Sequence, residues 1–364
     1  MRGPLCRLTQ VVDITRAASS LREKALARAL QGQDPGPEPG SRNPEHRMDP
    51  SPPRPPRLPH SGPSNVGKLA WYLGRAVRCH LGGQRIPLTS TLILTDHCNL
   101  HCRHCSVAHL GHSPNRFEDV QRDLRSLWDT GARMLVITGG EPFVWRDGPH
   151  DLEDVIRFGR ALGFFRIVVC TNGTFPLESS ADFLWVSLDG LSEEHTALRG
   201  EGVYDLVQSH LDQTIHPGIF VNLVVSPLNL DQLEASVEAI LDLHAVRGIL
   251  FHLFTPYLGS DPALALDAPA RQRAVQALLR IKGRHPRAVS NSVAGLRALA
   301  HGRWGPRPLW SGVVINQGQQ TPCCCRAGIA DAQTCAACGC SPAAETWAIQ
   351  TLRPSAILDY LKFL

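Results

Sequence analysis

The feature that most limits the fold of this chain is a repeated alternation between short apolar runs and segments with helical periodicity. Each run ends in Gly, Asn, Asp or Pro, and apolar residues between the runs recur at spacings of three and four. Continuous apolar strands joined by crossover helices form a parallel sheet that is covered on both faces. The pattern therefore predicts an α/β fold, as an open doubly wound sheet or as a barrel. The predicted strands are Thr91–Thr95, Met134–Thr138, Arg166–Val169, Phe183–Leu188, Ile219–Val225 and Gly248–Phe254.

Three cysteines follow the first predicted strand at the spacing C-x3-C-x2-C, namely Cys98, Cys102 and Cys105. Cysteine thiolates are the usual ligands of iron–sulfur clusters, and structural clusters and zinc sites normally have four protein ligands. Three thiolates on one loop can hold three irons of a cubane and leave the fourth iron open, as in a catalytic metal site. The alternative is a zinc site whose fourth ligand is His97, His101 or His104.

Polar, glycine-rich turns follow three of the later strands. Gly139-Gly140-Glu141-Pro142 follows the second strand, Thr171-Asn172-Gly173 follows the third, and Ser187-Leu188-Asp189-Gly190 ends the fourth. Arg199 lies twelve residues beyond Ser187. Any one of these segments could be a simple turn. Because the carboxyl ends of the strands form the catalytic edge of a parallel α/β barrel, the ordered set predicts one site at that edge.

The ordered set resembles the radical S-adenosylmethionine (radical SAM) enzymes, in which a ring-bearing residue also stands at the place of His104. The resemblance covers a little over half of the chain. It implies a partial (β/α)6 barrel over residues 88–284, with a [4Fe–4S] cluster on Cys98, Cys102 and Cys105 and S-adenosylmethionine (SAM) at its open iron.

The resemblance also implies the contacts with SAM. The backbone of Gly139, Gly140 and Glu141 receives the methionine amino group, and Glu141 can balance its charge. Ser187 and Arg199 match a serine and an arginine that contact SAM in SPASM-type enzymes, and His104 belongs to the same cofactor-binding set. Asn172 either shapes this pocket or forms a turn. The residues that act on the substrate itself are not identified.

The resemblance implies a reaction that begins when a donor such as flavodoxin or ferredoxin gives one electron to the cluster. The cluster then passes this electron to SAM. The carbon–sulfur bond of SAM breaks, and a 5′-deoxyadenosyl radical removes a hydrogen atom from the substrate.

Six further cysteines are crowded between Cys323 and Cys340. They follow a predicted β-hairpin, Val313–Ile315 with a turn at Asn316-Gln317-Gly318. This arrangement resembles the auxiliary cluster domain of SPASM and shortened-SPASM (twitch) enzymes. It implies a small C-terminal domain with a second [4Fe–4S] cluster; a zinc knuckle is the alternative. The implied ligands are one of Cys323, Cys324 and Cys325 together with Cys335, Cys338 and Cys340.

Composition limits the partners and the compartment. The formal net charge is only +4 over 364 residues, and no basic stripe with interleaved aromatic residues is present, so no nucleic-acid partner is predicted. The cysteines are clustered rather than spread in pairs, which indicates a reducing compartment. The chain has no apolar run of 18 or more residues and no basic-then-apolar start, so a soluble, cytoplasmic protein without a membrane partner is predicted.

The chain is divided into four predicted regions. Residues 1–62 are rich in Pro, Gly, Ser and Arg and are expected to form a disordered extension. Residues 63–87 are expected to form a lead-in helix, residues 88–284 the barrel, and residues 285–364 the Cys-rich region.

Three hypotheses for function follow. The first is an enzyme of the SPASM or twitch type that acts on a peptide or a small molecule. The second is a cofactor-pathway enzyme resembling the molybdopterin-precursor cyclase, whose family ends in Gly-Gly, whereas this chain ends in Lys362-Phe363-Leu364. The third is a non-catalytic zinc-binding protein.

Overall fold

The computed structural model describes Gly67, Gly74 and residues 86–105, 107–257, 260–301, 312–321 and 332–360. The predicted extension over residues 1–62 and the cysteines Cys323, Cys324 and Cys325 lie outside the described residues. Most of the predicted lead-in helix also lies outside them, although Gly67 and Gly74 are helical. All described residues belong to one unit, Pro59–Leu364.

Six parallel strands, hydrogen-bonded to one another in chain order, form the centre of the sheet. Thr89 and Thr91 of the first strand and His252 of the sixth line one cavity, which shows that the sheet curls into a partial barrel. This arrangement confirms the predicted α/β fold with six β/α units. The strands are β1 (Thr89–Thr95), β2 (Met134–Gly139), β3 (Arg166–Thr171), β4 (Phe183–Ser187), β5 (Ile219–Val225) and β6 (Val246–Leu253).

Helices cover the outer face of the sheet, and local capping sets several of their ends. The side chain of Asp151 accepts hydrogen bonds from two first-turn N–H groups of the second helix, and Gly163 ends that helix in the left-handed conformation with φ 107°. Among the described helices, none is long and apolar enough to cross a bilayer. The helices are α1 (Phe117–Asp129), α2 (Leu152–Leu162), α3 (Ser192–Arg199), α4 (Val203–Gln213), α5 (Leu233–Leu241), α6 (Ala268–Arg284), α7 (Val293–Leu299), α8 (Ala332–Ala336), α9 (Ser341–Gln350) and α10 (Pro354–Tyr360), with 3-10 turns at Pro142–Val144 and Pro262–Leu264.

Alternation along the strands separates an apolar outer layer from a polar barrel interior. On β5, Val221 and Leu223 are fully buried in the main apolar core, which packs between the sheet and the helices. The intervening Asn222 and Val224 line the cavity inside the barrel. The sequence therefore places its packing residues outside the barrel and leaves the interior available for ligands.

A C-terminal hairpin extends the sheet beyond β1. Its strands, β7 (Gly312–Asn316) and β8 (Gln319–Thr321), are antiparallel and are joined by Gln317 and Gly318, both with positive φ. The hairpin is present where the sequence predicts it. In addition, β7 pairs in parallel with β1, so the described sheet has eight strands in the order β6-β5-β4-β3-β2-β1-β7-β8.

The segment that carries the last cysteines packs against the carboxyl end of β6. The backbone N–H of Leu253 donates to the carbonyl oxygen of Gly339 at 2.9 Å. The buried Arg271 of α6 donates to the carbonyl oxygens of Leu299 at 2.6 Å, Ala337 at 2.9 Å and Cys338. Arg271 therefore attaches this segment to the barrel through its guanidinium group. A separate metal-binding domain over residues 285–364 remains a prediction.

Candidate active site

A cavity of about 290 Å³ lies inside the barrel and opens at the carboxyl ends of the strands. It brings together predicted site residues from three strand ends and from the C-terminal segment, although they are separated by more than two hundred positions in the sequence. Glu141, Cys335 and Cys338 do not belong to its described lining. The predicted site residues that line it are Cys98, Cys102, His104, Cys105, Gly139, Gly140, Ser187, Arg199 and Cys340.

The cysteine loop is held against the end of β2 by backbone contacts that require glycine. The N–H of Gly140 donates to the carbonyl oxygen of Thr95 at 2.7 Å, and the N–H of Glu141 donates to that of His97 at 2.8 Å. A Cβ atom on Gly140 would lie 2.1 Å from the His97 oxygen, and one on Gly139 would lie 2.2 Å from the Thr95 oxygen. The Gly-Gly pair therefore lets the two loops approach each other closely.

The three thiols of the loop influence one another. Burial raises the pKa of Cys98, and Cys105 raises it further. Burial raises the pKa of Cys102 to about 11; the nearby Arg199 opposes this change, whereas Cys105 and Cys98 add to it. Both changes favour the protonated thiols of Cys98 and Cys102, so a cationic group that binds their thiolates displaces their protons.

The donor set fits an iron–sulfur cluster. Three soft thiolates on one loop are the ligands that such clusters use. Among the described residues, no three His, Cys, Asp or Glu side chains form a group that could hold a single metal ion. A cubane offers its irons at separate corners, so its thiolate ligands need not converge on one point.

Glu141 is fully buried and already has internal partners. One carboxylate oxygen accepts hydrogen bonds from the Thr171 hydroxyl at 2.9 Å and the Phe143 N–H at 3.1 Å, and the other accepts one from the Asn172 N–H at 2.7 Å. Burial raises the pKa of Glu141 to about 7, although these hydrogen bonds favour the carboxylate. The side chain therefore joins the turns after β2 and β3, and its contact with SAM stays a prediction.

Asn172 supports the first cysteine of the loop. Its Nδ2 donates to Asn99 Oδ1 at 2.9 Å and lies 3.7 Å from the Cys98 sulfur, and its Oδ1 accepts a hydrogen bond from the Thr174 N–H at 3.0 Å. It therefore forms the turn after β3 and also positions the cysteine loop. These are the two roles that the sequence leaves open.

Asp189 holds Arg199 in place beside the cysteine loop. Arg199 Nε donates to Asp189 Oδ2 at 2.6 Å, its Nη2 lies 3.3 Å from His104 Nε2, and its Nη1 lies 4.0 Å from the Cys102 sulfur. Burial by itself raises the pKa of Asp189, but Arg199 and the neighbouring histidines outweigh burial and hold that pKa at about 2. The arginine is thus a fixed positive charge next to two predicted cluster-loop residues.

Sequence reasoning missed the residues of the barrel interior below these loops. Trp185, Asn222 and His252 line the cavity from β4, β5 and β6, together with the predicted Ser187. Ser187 and Asn222 are direct neighbours across β4 and β5. The available signal was an asparagine in the middle of an otherwise apolar strand, which is unusual because asparagine is depleted in strands.

The described C-terminal cysteines lie in different surroundings. Cys338 is buried in the main apolar core, whereas Cys340 lines the cavity that also contains the cysteine loop. Cys335 is partly buried, and its carbonyl oxygen accepts a hydrogen bond from the Cys338 N–H at 3.4 Å. Because the remaining predicted ligands lie outside the described residues, the auxiliary site stays a prediction.

Comparison with protein families gives a match to the Radical SAM superfamily over residues 92–240. This segment runs from β1 to α5 and contains the cysteine loop, the Gly-Gly-Glu-Pro turn, Ser187 and Arg199.

Curated relatives match parts of the chain, among them a bacteriocin biosynthesis protein and a GTP 3′,8-cyclase. The antilisterial bacteriocin subtilosin biosynthesis protein AlbA of Bacillus subtilis is 30% identical over 178 residues, which are 44% of this chain and 38% of that protein. The GTP 3′,8-cyclase of Pelotomaculum thermopropionicum is 33% identical over 161 residues, 39% of this chain and 48% of that protein. The match therefore spans less than half the length of either relative.

Solved structures share the fold. Streptococcus suis SuiB bound to S-adenosylmethionine gives a TM-score of 0.55 at 15% identity, covering 76% of this chain and 69% of that chain. SuiB bound to the precursor peptide SuiA gives 0.51 at 13% identity, covering 86% and 72%. At these identities the likeness concerns the fold alone. The family match covers the strand ends that form the cavity described above, and residues 92–240 are therefore similar to a radical SAM domain.

Proposed function

We propose that this protein is an enzyme that cleaves SAM reductively and uses the resulting radical to remove hydrogen from a substrate in the barrel. One observation carries the proposal. The three thiols of the cysteine loop, the Gly139-Gly140 pair, Ser187 and Arg199 all line a single cavity. The match to the Radical SAM superfamily implies a [4Fe–4S] cluster and SAM, and these residues are the ones that the sequence assigns to both.

Within this proposal each residue has a defined task. Cys98, Cys102 and Cys105 hold the cluster, and Ser187 and Arg199 contact SAM. Arg199 is suited to a carboxylate because its guanidinium group is fixed by Asp189 at 2.6 Å and so loses little freedom on binding. The bound cluster and SAM supply a 5′-deoxyadenosyl radical, while the protein orients the reactants and shields them from water.

The substrate that we propose is a peptide. AlbA is a bacteriocin biosynthesis protein by name, and SuiB is solved with a precursor peptide. The cavity also disfavours a nucleoside triphosphate, the substrate named for the GTP 3′,8-cyclases. Among the described residues that line it, Arg199 is the one Lys or Arg side chain, and that residue is already paired with Asp189. A triphosphate needs several cationic partners.

Two further parts of the proposal concern electrons. We expect a small donor protein such as flavodoxin or ferredoxin to reduce the cluster. The C-terminal cysteines would hold a second [4Fe–4S] cluster, or a zinc ion in the alternative. Cys340 supports a site close to the chemistry, because it lines the same cavity as Cys98, Cys102 and Cys105.

The test is the formation of 5′-deoxyadenosine. Anaerobically reconstituted protein is mixed with SAM and dithionite, and the product is quantified by chromatography. The wild type and a Cys6→Ala control should form it, whereas Cys102→Ala should form none. A Cys102→Ala protein that forms 5′-deoxyadenosine at the wild-type rate would remove the basis of the proposal. Colourless wild-type protein with bound zinc and no product would favour the zinc-binding alternative.

A further inference from the structure

Two polar atoms in the wall of the barrel cavity have no hydrogen-bond partner among the described residues. They are the side-chain oxygen Oδ1 of Asn222 on β5 and the indole Nε1 of Trp185 on β4. Both atoms are buried, and Asn222 as a whole is only 9% exposed. Both residues line the cavity. One atom is a hydrogen-bond acceptor and the other is a donor.

Such atoms are unusual in a folded protein. A buried polar group without a partner costs about 1–3 kcal/mol, and most buried groups are therefore paired. Elsewhere in the same site, Glu141 and Asp189 have all of their carboxylate oxygens paired. The unpaired donor and acceptor thus differ from the two buried carboxylates of the same site, as expected for groups that bind a ligand.

The two residues are near neighbours. Trp185 pairs with Phe220 across β4 and β5, and Ser187 pairs with Asn222. Trp185 and Asn222 are therefore diagonal neighbours across these two parallel strands, and both face the cavity. Ser187, the proposed SAM contact, lies directly opposite Asn222.

We propose that Asn222 and Trp185 form a subsite for an amide group of the substrate. The substrate N–H donates to Asn222 Oδ1, and its C=O accepts a hydrogen bond from Trp185 Nε1. The inference rests on the proposed function for the position of SAM beside Ser187, and it adds the chemical group by which the substrate is held. A lactam, a carboxamide or the N–H and C=O of one extended peptide residue presents a donor and an acceptor on the same edge.

The charges around the subsite favour a neutral group over an ionised one. The described lining of the cavity contains no Asp or Glu side chain, and its single Arg, Arg199, is paired with Asp189. A charged substrate group placed next to Asn222 would lose its hydration without gaining an opposite charge. An amide exchanges its hydrogen bonds to water for those to Asn222 and Trp185.

The experiment measures binding rather than turnover, so its result does not depend on radical chemistry. Two probes are titrated into the reconstituted full chain with SAM present, and their dissociation constants are measured by saturation-transfer NMR. N-acetylalanine N′-methylamide represents a peptide, and guanosine represents a nucleobase lactam. The variants are Asn222→Leu and Trp185→Phe, which remove the acceptor and the donor, and Trp347→Phe on α9 is the matched control.

We expect at least one probe to bind the wild type and the Trp347→Phe protein equally. Its affinity should fall about tenfold in each of the two subsite variants, the loss expected for one buried hydrogen bond. Binding of the dipeptide would identify a peptide as the source of the amide, and binding of guanosine would identify a nucleobase. Either result supports the subsite.

Two results would overturn the inference. One is that neither probe binds, or that both bind the variants as well as the wild type while circular dichroism shows that the variants are folded. The other is a loss of SAM affinity that equals the loss of probe affinity, because the pair would then bind the adenine of SAM. Failure of the proposed function would instead appear as a wild type that forms no 5′-deoxyadenosine but still binds the probe.

Discussion

Replacement of Asp189 by asparagine should separate the charge of this residue from its shape. Asp189 is fully buried, and its two carboxylate oxygens accept hydrogen bonds from Arg199 Nε at 2.6 Å and from the Val224 N–H at 2.8 Å. Asparagine keeps an acceptor for Val224 but turns an NH2 group towards the guanidinium group. The variant therefore leaves a buried Arg199 without its counter-charge.

Two lines of reasoning give the expected magnitude. Removal of one partner from a buried ion pair typically costs about 3–5 kcal/mol. The pKa of Asp189 is lowered from 3.8 to about 2, which corresponds to about 2 kcal/mol of stability at neutral pH, at about 1.4 kcal/mol for each tenfold change in proton affinity. Because the pKa is lowered, this stability is present above pH 3.8 and is lost as the pH falls towards 2. We expect a loss of about 3 kcal/mol at pH 7.

Urea unfolding of the wild type and Asp189→Asn measures this loss, and calorimetric titration of the reconstituted proteins measures SAM binding. We expect SAM affinity to fall about tenfold, since Arg199 loses the contact that orients it. Asp182→Asn is the matched control: Asp182 likewise forms ion pairs with arginine, namely Arg160 and Arg166, but it precedes β4 at the other end of the barrel. It should lose stability without losing SAM affinity. Equal unfolding and equal SAM binding of Asp189→Asn and the wild type would refute the reasoning.

Three further predictions concern the packing of the C-terminal segment and its cysteines. Arg271→Met should lower the free energy of unfolding by about 3 kcal/mol, because three backbone carbonyls each lose a hydrogen bond, whereas Arg280→Met on the exposed face of the same helix should cost less than about 1 kcal/mol; equal losses in urea unfolding would contradict this. Burial raises the pKa of both Glu345 and Glu141 from 4.5 to about 7, so each should lower wild-type stability by up to about 3 kcal/mol between these pH values, and urea unfolding over that range should show a decline about half as large in Glu345→Gln. Iron analysis after anaerobic reconstitution should give about eight irons per chain, and about four in a Cys335→Ala/Cys338→Ala double variant. About four irons and one zinc in the wild type would instead identify a zinc knuckle.

The strands of the barrel were predictable because each one is a local apolar run with a turn signal at its end. The β5 prediction, Ile219–Val225, agrees with the structure at both ends, and the β6 prediction, Gly248–Phe254, is shifted from the observed Val246–Leu253. The cavity position of Ser187 and Arg199 was also predictable, because the carboxyl ends of parallel strands meet at one edge.

Contacts between distant segments were not predictable from the local pattern. The parallel pairing of β7 with β1 joins residues more than two hundred positions apart, and the periodicity of the sequence does not predict this pairing. Asp189 reads as a turn residue in the sequence, although its side chain holds Arg199. Asn222 is part of a correctly predicted strand, but the orientation of its side chain into the barrel depends on the register with β4.

The central claim is that the cysteine loop holds a cluster whose open iron binds SAM. The most direct measurement is electron–nuclear double resonance on the reduced protein with SAM that carries 15N in its amino group and 17O in its carboxylate. If Cys98, Cys102 and Cys105 supply only three ligands, the spectrum should show hyperfine coupling of the cluster to both labels, and the coupling should vanish in Cys102→Ala. A reduced wild-type cluster that binds SAM without coupling to either label would contradict the claim.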